Sequence, residues 1–78
     1  MPLQKDDWLV DATITLEDLG LFLGITFETG DSVSLAGFLA EYLQRIPKKD
    51  EQILYKKYIL QVQKATALRV QFVHIIKQ

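Results

Sequence analysis

At Pro47 the apolar rhythm of the chain changes. Before it, in SLAGFLAEYLQRIP, the apolar residues Leu35, Phe38, Leu39, Tyr42, Leu43 and Ile46 recur at steps of three and one. That is the buried stripe of an amphipathic helix. Ser34, or Ser32 just before it, is a natural N-cap, and Pro47 blocks continuation. The spacing predicts a helix over 35–46, about 20 Å long at 1.5 Å per residue. After Pro47 the period is two. Gln52 to Tyr55, then Tyr58 to Gln63, then Leu68 to Lys77 read as three strands. Lys56-Lys57 and the segment 64–67 connect them. Connections this short between alternating runs mean an antiparallel meander.

Ahead of the long helix, Trp8 to Ala12 is a short strand candidate, with Trp8, Val10 and Ala12 on one face and Leu9 on the other. Thr15-Leu16-Glu17-Asp18 has the form of a capping box, with Asp18 reaching back to Thr15. Leu16, Leu19, Phe22 and Leu23 follow at helical spacing, and Gly24 is a C-terminal stop. The spacing predicts a helix over 16–23. The connector 25–33 has room for a short extended piece at 25–27. The expected order is strand, helix, helix, three strands. This is an α+β two-layer architecture, with two helices on one face of an antiparallel sheet of about four strands. The first strand is expected beside the meander. The faces of the meander bearing Leu60 and Phe72 should meet the helices, which leaves Ile59, Val73 and Ile75 outside. Gly37 costs helix stability, so close approach of another backbone is expected at it.

Seventy-eight residues suit one domain, taken as residues 1–78. An apolar fraction of 49% is that of a globular chain, and no apolar run is long enough to span a membrane. The start, MPLQKDDW, lacks the features of a signal peptide, so a soluble, cytosolic chain is expected. The absence of cysteine excludes disulfides, thiolate nucleophiles and cysteine zinc sites. Net charge is −1, which argues against a nucleic-acid binder. The charges are unevenly placed, however. Residues 1–44 hold one lysine and eight carboxylates, whereas residues 45–78 hold eight Lys and Arg and two carboxylates. Either the two halves attract each other within the fold, or a polar surface docks on another domain.

These segments resemble the CorC/HlyC transporter-associated domain. The resemblance rests on Trp8-Leu9-Val10-Asp11-Ala12, Leu16-Glu17-Asp18-Leu19, Leu23-Gly24-Ile25 and the run from Ser34-Leu35-Ala36-Gly37-Phe38 to Gln44-Arg45-Ile46-Pro47. It covers almost the whole chain. The departures are Ala12 in place of a glycine, Lys49 before the retained Asp50, and Ala65-Thr66-Ala67 where the family hairpin is rich in Asp and Gly. The resemblance implies a C-terminal regulatory module of a magnesium and cobalt efflux protein. There it follows a pair of cystathionine β-synthase-type domains on the cytoplasmic side of a membrane region. The implied partners are those neighbouring domains, with no direct membrane insertion. A homodimer, formed by pairing at an exposed strand edge, is the alternative partner.

Catalysis needs a poised acid, base or nucleophile, and none is expected. His74, the one histidine, is placed on the Leu68–Ile76 face near the sheet end and read as structural. Asp7 and Asp11 share a strand face about 13 Å apart, too far for one ion. Asp6, Asp7 and Asp11 are therefore read as a solvated cluster, and nothing supports a loose ion at Glu28 or Asp31. Gly20, Gly24, Gly30 and Gly37 form no phosphate cradle. Lys48-Lys49 and Lys56-Lys57 read as solvated turns, and the flanking Tyr55 and Tyr58 add only a faint nucleic-acid signal. No catalytic, cofactor-binding or metal-binding residue is expected, and no cofactor. A regulatory contact domain is the first reading, with a self-association module and a small-ligand sensor in the cleft between helices and sheet as alternatives.

Overall fold

A computed structural model describes residues 7–78. The strands and helices follow in the order β1 (Asp7–Asp11), α1 (Leu16–Leu23), α2 (Leu35–Leu43), β2 (Gln52–Tyr55), β3 (Tyr58–Ala65) and β4 (Val70–Lys77). The four strands form one antiparallel sheet in the order β1-β4-β3-β2. The α+β architecture and the place of the first strand beside the meander are as expected.

Helix α1 starts where its cap dictates: the amide of Asp18 donates to Thr15 Oγ1 at 3.0 Å. It ends at Gly24, whose φ of 76° is the left-handed conformation that glycine adopts without strain. Helix α2 is capped by Ser34, whose Oγ accepts the Gly37 amide at 3.1 Å. Three further first-turn donors are met by backbone. Leu16 N donates to Val33 O at 2.8 Å, Leu35 N to Ile14 O at 3.0 Å, and Ala36 N to Ala12 O at 2.9 Å. The two helix starts are thus laced together, which satisfies groups that would otherwise be orphaned.

The second helix is shorter than the apolar stripe implies. It stops at Leu43, because Gln44 takes the left-handed conformation at φ 61°. The amides of Gln44 and Arg45 both turn back to Ala40 O. This is the cap usually built on glycine. Arg45 and Ile46 therefore lie outside the helix. Pro47 is fully buried beyond it, Ile46 is half-buried, and Tyr42 is 52% exposed. In α1, Phe22 likewise leaves the core and meets the Trp8 ring edge-on at 5.4 Å. The connector 25–33 has no regular structure, including at 25–27.

The core joins Leu16, Leu19, Leu23, Leu35, Phe38 and Leu39 of the helices to Ile53, Tyr58, Leu60, Val62, Val70, Val73 and Ile75 of the sheet. Two face assignments are corrected here. Val73 and Ile75 are fully buried, and Phe72 points outward. The cause is a break in alternation. On β3 the pairing skips Gln63, between Val62↔Val73 and Lys64↔Phe72; on β4 it skips Gln71, between Lys64↔Phe72 and Ala65↔Val70. Each extra residue reverses which side the following side chains face. Val70 and Val73, three apart, thereby enter the same core.

Gly37 is not where backbones meet. A Cβ there would find only Ser34 Oγ at 3.4 Å and the Ser32 side chain at 3.7 Å. Gly20 is the crowded glycine: a Cβ on it would lie 2.5 Å from Ile25 O.

Candidate interaction surface

The sheet face turned away from the helices is uncovered. The register places its side chains in rows. Asp7, Ile76, Ile59 and Leu54 form one row, Leu9, His74, Gln61 and Gln52 the next, and Asp11, Phe72 and Lys64 the third. Leu9 and Leu54 are each 62% exposed and Phe72 36%. Ile59 and Ile76 are half-buried. Of the three outer-face apolars expected from alternation, only Ile59 lies here. On β4, Phe72 and Ile76 face outward in place of Val73 and Ile75, and Leu54 of β2 joins them. The adjacent apolar pairs Phe72-Val73 and Ile75-Ile76 are the sequence signal that strict alternation fails in β4.

His74 lies in the body of a central strand, not at the sheet end. Its Nε2 is 3.2 Å from Asp7 Oδ2, and Leu9 and Gln61 flank it in register. Asp11, two residues further along the face than Leu9, turns to its own loop. Its Oδ1 accepts the Thr13 amide and hydroxyl, both at 2.8 Å. Those bonds, the amide foremost, hold its carboxyl below the ordinary value. The structure thus engages Asp7 and Asp11 with separate partners. Asp6 lies outside the described residues. No group of three or more His, Asp or Glu able to hold a metal occurs among the described residues.

Several other side chains, some of them sequence candidates, take part in loop fastening. Glu41 on α2 accepts Thr29 Oγ1 at 2.5 Å, Ser32 Oγ at 2.7 Å and Gly30 N at 3.1 Å. The Thr29 and Ser32 hydroxyls lower its pKa. Glu28 donates its amide to Tyr55 Oη at 2.8 Å. Beyond α2, Arg45 pairs through both terminal nitrogens with Glu51, which also accepts the Lys48 amide at 2.5 Å. The Arg45 bond, then the Lys48 amide, bring the Glu51 carboxyl down to about 2. Lys56 Nζ donates to Thr26 O at 2.5 Å, and Tyr58 Oη donates to Leu23 O at 2.9 Å. Gly20, Gly24, Gly30 and Gly37 are scattered over two helices and a loop. The outer sheet face, by contrast, groups exposed apolar side chains on one surface.

The chain matches the family model CorC_HlyC, the transporter associated domain, over residues 2–78. It is 37% identical over 70 residues to UPF0053 protein YegH of Escherichia coli K12. That match takes in 88% of this chain but 13% of YegH, so the chain spans about an eighth of the curated relative. A CorC_HlyC domain from Haemophilus ducreyi superposes with a TM-score of 0.83 at 31% identity, covering 94% of this chain and 97% of that one. A Neisseria meningitidis MC58 region, described as associated with a putative Mg²⁺ and Co²⁺ transporter, superposes with a TM-score of 0.90 at 18% identity over 97% and 94% of the two chains.

Proposed function

The chain belongs to the CorC_HlyC family of transporter associated domains, and from that premise we propose that it is a non-catalytic regulatory module of a divalent-cation transport protein. On this reading, residues 1–78 form one folding unit attached to the cytoplasmic side of a magnesium or cobalt efflux protein. The module acts by touching neighbouring domains. It biases the transporter only insofar as it binds one transport state more tightly than another.

The observation that carries the reading is the outer sheet face. Leu9, Leu54 and Phe72 are exposed beside half-buried Ile59 and Ile76. Apolar side chains grouped on one face suit contact with another protein.

The test is made in a full-length protein carrying this domain. Leu9→Gln with Leu54→Gln changes side chains already in water, so the fold should stay within about 0.5 kcal/mol of the parent. Efflux of magnesium or cobalt should nevertheless change. Wild-type efflux and wild-type assembly from that double variant would remove the reading.

A further inference from the structure

The helix layer carries no cation. From Asp6 to Gln44 the chain has no Lys, Arg or His, and both helices and their connector come from this stretch. Glu17, Asp18, Glu28, Asp31 and Glu41 are all exposed on it. Two cavities of about 330 Å³ each open on it. Glu17, Leu21 and Phe27 line the first; Glu28, Phe38, Glu41 and Tyr42 line the second. Phe27 of one and Glu28 of the other are neighbours in the chain, and each cavity combines apolar side chains with at least one carboxylate, so this side of the layer presents an acid-rimmed groove. A lysine already sits at its edge in cis: Lys56 Nζ bonds Thr26 O and stands 5.5 Å from the centre of the Tyr55 ring.

The complementary surface lies at the neighbouring end of the molecule. Lys56, Lys57 and Lys77 surround a further cavity with Leu23, Gly24 and Ile25, and no carboxylate lines it. Groove and basic pole meet where Ile25 is followed by Thr26. Among the described residues, the close contacts between basic and acidic side chains are Arg45–Glu51 and His74–Asp7. Neither joins a helix-layer carboxylate to a sheet lysine. The helix-layer carboxylates Glu17, Asp18, Glu28, Asp31 and Glu41 thus make no ion pair with the lysines of the sheet among the described residues.

We propose that two copies of this chain associate about a two-fold axis, each seating its Lys57 and Lys77 pole in the acid-rimmed groove of the other. Because groove and pole adjoin, one axis satisfies both contacts, so the assembly closes as a dimer and does not grow as a filament. Charge complementarity supplies orientation and encounter rate. Exposed Leu21 and Tyr42, which line the groove, supply apolar area.

Sedimentation over a concentration series tests this. The unaltered chain should dimerise at low ionic strength, and about 0.5 M salt should weaken the dimer at least tenfold, since screening at that strength acts within a few ångströms. Glu17→Lys with Glu28→Lys should abolish dimerisation, as should Lys57→Glu with Lys77→Glu. Mixing these two proteins should restore association, because the reversed charges again match. Circular dichroism confirms that each variant folds, and the salt series on the unaltered chain stands should either fail to. A chain that stays monomeric at low salt overturns the proposal. So does a dimer indifferent to salt and to both reversals, or a mixture that remains monomeric.

Discussion

Two glycines in the helices behave oppositely. Gly20→Ala would place a methyl 2.5 Å from the backbone oxygen of Ile25. That oxygen cannot move without shifting the exit of α1, so a loss of about 1–3 kcal/mol is expected. Gly37→Ala meets nothing closer than 3.4 Å and gains helix propensity. It should be neutral or stabilising by up to about 1 kcal/mol. Urea denaturation of the two variants compares them directly, and the reverse order would contradict the packing. The Glu51 carboxylate gives a pH signature. Its folded pKa of about 2 lies below the ordinary value of 4.5. Its contribution to stability is complete above about 4.5 and is lost as pH falls towards 2. Glu51→Gln should flatten that part of the curve of melting temperature against pH; an unchanged acid limb would show that the Arg45 pair does not matter in solution.

The elements show how far local sequence rules reach. Helix α1 was legible to the residue, since Thr15 and Gly24 mark its ends with side-chain chemistry and backbone freedom. The end of α2 was not, because Gln44 takes a left-handed conformation that nothing in its own chemistry announces. The outer face was legible only in part. Leu9 and Ile59 follow simple alternation, whereas the skipped Gln71 inverts β4 without a glycine or proline to flag it. The inversion can be tested by pairing substitutions: Ile75→Ala should cost about 2–5 kcal/mol, like Leu39→Ala in the helix stripe. Phe72→Ala, on the outer face, should cost clearly less. If Phe72→Ala proved the costlier of the two in guanidinium unfolding, the original parity would be right and the skipped residues wrong.

At the scale of the whole molecule, β4 joins the two ends of the chain. It is central, with the first strand on one side and the last hairpin partner on the other. Removing residues 70–78 takes away the ladder partner that β1 has among the described residues and the core side chains Val70, Val73 and Ile75. Such a chain should lose its cooperative melting transition, with no residual folded baseline by circular dichroism; a sharp melt from the shortened chain would show that helices and hairpin suffice without it. The same pairing has a mechanical side. Asp7 stands opposite Ile76, so the chain enters and leaves at one corner, along strands that run in opposite directions. Tension drawn through both ends does not shear that ladder. It peels the ladder one rung at a time from the Asp7 corner, so the first and last strands part like a zip under a gentle tug.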